Sequence, residues 1–140
     1  MRPQRFITNR LVKSEDLNHH GTLFAGRGCE WMVESGFIAA ASLLDPKSIV
    51  CVKVHGIHFK VPVKPGEIVC FESMIINTGR SSLTAYVSVI SKGFTEPIVD
   101  GFITFVYVDE NTKSKAHGIV IEPATEADKR IQEIARSLPK

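Results

Sequence analysis

No apolar run in the sequence approaches the roughly 18 residues a membrane-spanning helix needs, and no contact with a membrane is expected. No basic block stands out either. The 17 Lys and Arg residues are balanced by 15 Asp and Glu, a formal net charge of +2, which excludes a strongly electrostatic nucleic-acid binder. Cysteine is scarce: Cys29, Cys51 and Cys70 are odd in number, sit in apolar surroundings and show no CxxC spacing. That pattern argues against a disulfide framework or a zinc site and fits reduced thiols in a cytoplasmic protein. Met1-Arg2-Pro3-Gln4-Arg5 leads straight into strand-like sequence with no apolar signal core. Repeats, low-complexity tracts and linker-like segments are also missing. What remains is 140 residues, 44% hydrophobic and 23% charged, enough for one globular domain over residues 1–140 and too few for two cores.

Residues 5–13 (RFITNRLVK) are short, mixed and rich in β-formers, and read as a strand. Residues 17–21 (LNHHG) form a polar loop. The stretch 22–44 has the length of a long helix, and Pro46 disfavours helical geometry at Asp45. Phe24, Trp31, Met32, Val33, Phe37, Ile38, Leu43 and Leu44 cover most of that helix's circumference, so protein is expected on nearly every side of it. Four strands follow, at 48–59, 68–77, 82–91 and 98–109. Pro65-Gly66 suits a type II turn before the second of these, and residues 82–91 alternate apolar and polar as a half-buried strand does. After a turn at 109–112, Pro123 opens an amphipathic helix carrying Ala127, Ile131, Ile134 and Leu138. The order predicts an α+β protein, one antiparallel sheet wrapped around one long helix, with a C-terminal helix.

The run Asn18-His19-His20-Gly21-Thr22-Leu23-Phe24-Ala25-Gly26, followed by Glu30-Trp31-Met32-Val33-Glu34, resembles the hotdog-fold acyl-CoA thioesterases, most closely the bacterial short-chain and cytosolic acyl-CoA hydrolases. Residues 54–69 (VHGIHFKVPVKPGEIV) and Thr78-Gly79-Arg80-Ser81-Ser82 resemble the same family, and together the segments span about residues 5–110. Two positions depart from the pattern. Ala25-Gly26 stands for a paired glycine, and the family's helix aspartate falls on Val33, with Glu34 beside it. One helical position is a rotation of about 100°. The resemblance implies a hotdog fold, hydrolysis of acyl-CoA to free acid and coenzyme A, no metal or cofactor beyond the coenzyme A of the substrate, and a homodimer assembled into a tetramer or hexamer. A hotdog unit leaves one sheet edge open, which also favours pairing into a dimer with a continuous sheet.

Thioester hydrolysis needs a base or nucleophile, donors for the developing oxyanion and a slot for the acyl chain. Glu34 is the candidate general base, on a helix whose apolar surroundings are expected to desolvate it. A carboxylate paired with Arg27 or a histidine, or exposed at a subunit boundary, is the plainer account. Glu30 and Arg27 lie one and two turns before it and read as a structural ion pair. Amides near Gly26 at the helix start offer an oxyanion site, although glycines there serve close packing as well. The resemblance places Asn18 beside the substrate, facing Glu34 of the other chain, and brings His20 and Thr22 to the same loop; a turn or cap role also fits Asn18. His19-His20 is not a metal pair, since adjacent histidines point apart and no third ligand has suitable spacing. Arg80, Ser81 and Ser82 suit the phosphates and pantetheine arm of coenzyme A, a placement the family supports, with Lys60 and Lys64 as further phosphate contacts. His55 and His58, three apart on a strand, point to opposite faces. Trp31, Met32 and Phe37 read as core with some surface towards the acyl slot. A non-catalytic acyl-CoA-binding protein and an acyl-thioester dehydratase or hydratase are the competing readings, the first favoured by Val33 and the second requiring a histidine beside Glu34.

Overall fold

The computed structural model describes residues 1–57, 59 and 61–139. Its elements are β1 (Phe6–Leu11), α1 (Ala25–Ala41), β2 (Ile49–His55), β3 (Ile68–Thr78), β4 (Ser82–Ser91), β5 (Val99–Tyr107) and α2 (Glu126–Arg136), with short 3₁₀ turns at Ser14–Asp16 and Pro46–Ser48. All neighbouring strands run antiparallel in the order β1-β3-β4-β5-β2. Among the described residues both edges, β1 and β2, are therefore open. The predicted hotdog arrangement, a sheet around a long helix, is present. No described helix is long and apolar enough to cross a membrane.

Alternation along the strands sorts side chains to two faces. Phe71, Ile75, Leu83, Ala85, Val87, Ile103 and Phe105 form the inner face and enclose Trp31, Met32, Ala39 and Ala40 of α1. Trp31 meets Phe71 edge to face, with ring centroids 6.0 Å apart. Gly36 lets helix and sheet approach closely: a Cβ there would sit 3.3 Å from Ile103 and 3.4 Å from Ala85. The predicted turn at Pro65-Gly66 places Gly66 at φ +87°, the left-handed position a type II turn reserves for glycine.

The long helix is shorter than its sequence suggested. Its first three expected residues are held elsewhere: Thr22 bonds to Asn18, Leu23 bridges Leu17 with its N–H donating to the Val63 carbonyl at 2.7 Å, and the Phe24 N–H donates to the Asp16 carbonyl at 2.8 Å. At the other end the Ser42 hydroxyl donates to the Ala39 carbonyl at 2.7 Å, and the helix stops at Ala41. Nor is α1 covered on nearly every side. Glu30, Glu34 and Ile38, spaced by four, form an exposed line along it, flanked by half-buried Val33 and Phe37. On β2 the side chains of Val50, Val52 and Val54 are also exposed.

Helix α2 lies on the outer face over Met74, Ile76, Tyr86 and Phe102. Its buried residues are Asp128, Gln132 and Ala135, with Ile131 and Leu138 beside them, while Ala127 and Ile134 of the predicted apolar stripe face solvent. Polar anchoring explains the rotation. Gln132 Nε2 donates to the carbonyls of Ile76 and Ile121 at 3.0 Å each, and Arg5 bonds the buried Asp128 carboxylate at 2.8 Å.

Candidate active site

The loop before α1 is built on Asn18. Its Oδ1 accepts from the N–H groups of His20 and Thr22, at 2.9 and 3.2 Å, and from the Thr22 hydroxyl at 3.3 Å. The Asn18 N–H donates to the Thr22 carbonyl at 2.8 Å. An asparagine in this role fixes a loop by mimicking a backbone turn. The turn role named in the sequence analysis is thus present, and the Nδ2 group has no acceptor among the described residues. The N–H of Gly26, the second residue of α1, likewise meets no acceptor among the described residues, as the geometry of a helix start requires. Gly26 itself is exposed, whereas Gly28 is buried with the Phe59 ring against it. Close packing therefore explains Gly28 and leaves the Gly26 amide available. His20 is exposed on the same loop, and its ring leans on that of His19 at 3.9 Å between centroids.

Glu34 does not occupy the desolvated setting expected of it. Its side chain is 48% exposed, and Oε2 accepts from Arg10 Nη2 at 2.5 Å. The partner is neither Arg27 nor a histidine: Arg10 reaches across from β1 with its guanidinium over the Trp31 ring, 5.4 Å from the centroid. Arg27 is engaged elsewhere, 3.3 Å from Asp16 Oδ1 and 3.9 Å from Glu30. An apolar depression of about 460 Å³ opens beside Glu34, lined by Val33, Phe37, Ile38, Cys51 and Phe105. Trp31 and Met32 are buried in the core and contribute nothing to it; Phe37 does. Among the described residues no histidine lines this slot. His55 faces the outer side of the sheet, its Nε2 2.8 Å from Thr104 Oγ1, and burial holds its ring below the ordinary imidazole range, helped by the charge of Lys53. His58 and Lys60 lie outside the described residues, and Lys64 is exposed in the turn.

Gly26 and Glu34 are eight positions apart on one helix, about 12 Å along its axis. One chain therefore presents the amide donors and the carboxylate as two separate half-sites on α1. The third group of predicted residues, Arg80, Ser81 and Ser82, sits at the β3–β4 corner. Its backbone is clamped: the Ser81 carbonyl accepts from Tyr107 at 2.8 Å, and the Ser82 hydroxyl accepts from the Gly79 N–H at 3.1 Å.

One brace there escaped sequence reading. The Ile119 N–H donates to His117 Nδ1 at 2.9 Å, so Nε2 carries the proton and donates to the Ser82 carbonyl at 2.9 Å. The His117 N–H adds a bond to the Arg80 carbonyl at 3.2 Å. Nothing local in the sequence links residue 117 to residue 82; only Gly118, at φ +70°, hints at the turn that makes it possible. No group of three or more His, Cys, Asp or Glu among the described residues is placed to hold a metal ion.

The chain is 32% identical over 116 residues to an uncharacterized acyl-CoA thioester hydrolase of Haemophilus influenzae, covering 78% of this chain and 75% of that protein. It superimposes on an acyl-CoA hydrolase from Bacillus cereus with a TM-score of 0.86 and 29% identity, over 94% of this chain and 82% of the other. An apo-hexameric acyl-CoA thioesterase matches with a TM-score of 0.84 and 32% identity, over 95% and 86% of the two chains. The family model of the thioesterase superfamily matches residues 20–97, more than half the chain. With an antiparallel sheet around a long helix, and with these likenesses, the chain belongs to the thioesterase superfamily.

Proposed function

We propose that the protein hydrolyses acyl-CoA, R–CO–S–CoA plus water giving the free acid and CoA-SH, as one hotdog unit of residues 1–140 working in a cytoplasmic homo-oligomer. The observation that carries this reading is Glu34 at the rim of an apolar slot, on a face of α1 that the described residues leave uncovered. Because a single chain holds its amide donors and its carboxylate about 12 Å apart, the complete site is formed when a second copy sets its own loop against Glu34. Pairing along the open β2 edge, where Val50, Val52 and Val54 are exposed, covers that face and joins the two sheets. The hexameric relative fits a trimer of such dimers.

In this arrangement the acyl group lies against Phe37, Ile38 and Phe105. Glu34 takes a proton from water, and the hydroxide adds to the thioester carbonyl carbon. The partner subunit's Gly26 N–H receives the oxyanion, and the partner subunit's Asn18 Nδ2 orients water or substrate. Collapse of the adduct breaks the C–S bond, and the proton held by Glu34 passes to the departing thiolate. His20 and Thr22 shape the loop against the coenzyme arm, while Arg80, Ser81 and Ser82, with Lys60, meet its phosphates. The chain's own side chains, amides and water supply the chemistry.

Incubation with acyl-CoAs of varied chain length and a thiol reagent tests the reading; release of CoA-SH is expected. Binding of acyl-CoA without any thiol release favours a non-catalytic acyl-CoA-binding protein, the reading that Val33 and the Arg10 clamp on Glu34 support. Arg80→Ala is expected to raise KM several-fold with kcat little changed, and an unchanged KM removes the corner from the coenzyme site.

A further inference from the structure

Between the start of α1 and the sheet lies an apolar cavity of about 20 Å³. Leu23 and Val63 wall it on the side of the Asn18 loop, and Val69, Val89 and Val99 give it a floor on the sheet. No described lining residue carries a polar side chain. A space of that size has room for one water, but a buried water needs several polar partners and finds none here, so the cavity is dry. Its outer wall is the ring of Phe59, on the connection from β2 to β3. That ring is 46% exposed, and Val61 on the same connection and Phe24 at the helix start are exposed too. Apolar side chains gathered in water at the mouth of an empty apolar space mark a place where something apolar is received.

Position ties this cavity to the reaction. The Phe59 ring packs edge-on against Gly28: a Cβ there would meet Phe59 Cε1 at 3.3 Å and Leu23 Cδ2 at 3.5 Å. Gly28 lies two residues beyond Gly26, about 3 Å along the helix axis, so the cavity adjoins the amide that is to receive the oxyanion. Oxyanion and acyl chain share one carbonyl carbon, and a chain leaving that carbon reaches the ring after a few methylenes. A second copy that sets this loop against Glu34 brings Phe24 and Phe59 over the open slot lined by Val33, Phe37 and Ile38. The subunit that supplies the amide therefore also supplies the stop.

We propose that Phe59 sets the upper length of the acyl chain, by closing the dry cavity that a longer chain would enter. The inference rests on the acyl-CoA reading and adds the residue that selects among its substrates. With the ring in place the space behind it is no larger than one water, and a chain that reaches the ring stops there. Removing the ring joins cavity and slot, and further methylenes then exchange water for Val69, Val89 and Val99. Because the ring already meets solvent on its outer side, its loss opens the cavity outward and leaves no sealed void in the core.

The test measures kcat/KM on butyryl-, hexanoyl-, octanoyl- and decanoyl-CoA for the parent, Phe59→Leu and Phe59→Ala. The ratio of decanoyl to butyryl is expected to rise at least tenfold in Phe59→Ala, the worth of about two newly buried methylene groups, with Phe59→Leu between it and the parent. A ratio taken within one preparation is blind to any loss of folded protein. S-decyl-CoA, a thioether that cannot be hydrolysed, reads the same space without turnover: its affinity relative to S-butyl-CoA should rise at least tenfold in Phe59→Ala. Phe59→Ala/Val89→Met, which extends a flexible side chain into the cavity from the sheet, is expected to bring both ratios back towards the parent. Equal losses on all four substrates, or an unchanged ratio in Phe59→Ala, make Phe59 a packing residue and overturn the proposal. So does a rise that Val89→Met leaves in place, because the added chain then lies outside the cavity. Failure of the parent to hydrolyse any of the four strikes the acyl-CoA reading itself; a parent that hydrolyses them with a length profile indifferent to Phe59 removes only the stop.

Discussion

Glu34→Gln is expected to lower kcat about 100-fold or more, the usual worth of a positioned general base, while KM for acyl-CoA changes less than about twofold. Glutamine keeps the length of the side chain and an oxygen able to accept from Arg10, so orientation survives and only the capacity to take a proton is lost. Steady-state kinetics with thiol detection reads both parameters. The Arg10 pair explains why the effect should appear in kcat. Both side chains are more than 40% exposed, and exposed ion pairs are worth about 0–1 kcal/mol, too little to matter for folding. What the pair does is fix one oxygen, Oε2, and leave Oε1 without a partner among the described residues for water. A Glu34→Gln variant that turns over acyl-CoA as fast as the parent shows that Glu34 is a structural carboxylate and that the base is another group.

The elements that could be read from the sequence were those whose code is local. Strand β4 spans Ser82–Ser91 as its alternation predicts, but it is not half-buried: none of its residues is exposed, because its inner face meets α1 and Tyr86 on its outer face packs under α2. The Pro65-Gly66 turn and the loop around Asn18 were legible for the same reason. Contacts between distant segments were not. An apolar helix announces that something covers it but not whether that cover is its own chain; Ile38 and the valines of β2 stay exposed in one protomer. The Arg10 partner of Glu34 lies 24 residues away, and its choice over Arg27 is settled only by the register that turns Arg10 to the inner face of β1. On α2 the apolar pattern misled, since buried Gln132 and Asp128 dock the helix through hydrogen bonds that hydrophobic periodicity cannot encode.

Asp16→Asn is expected to destabilise the fold at neutral pH by about 2 kcal/mol, the usual worth of hydrogen bonds made to a charged group, and to lower kcat as well. Asp16 is 1% exposed and ties the end of β1 to the start of α1. Its Oδ2 accepts from the Lys13 N–H at 2.9 Å, Arg27 Nη1 lies 3.3 Å from Oδ1, and its carbonyl accepts from the Phe24 N–H at 2.8 Å. The Lys13 backbone bond holds the carboxyl below its ordinary value of 3.8; burial opposes it, and the charges of Lys13 and Arg27 assist. A folded value below the unfolded one means the stabilisation is complete above about pH 4 and disappears as pH falls through the folded value. Thermal unfolding of parent and variant should therefore differ at pH 7 and converge in acid, where protonated Asp16 bonds much as asparagine does. A gap that stays constant down to the lowest accessible pH rules out the carboxylate charge as its source. The kinetic arm follows from the same contacts: Asp16 sits two residues before Asn18 and anchors Phe24, the residue that caps the helix carrying Gly26. Loosening it displaces the amide donors that receive the oxyanion, and a misplacement of about 1 Å is enough to cost roughly 100-fold in rate.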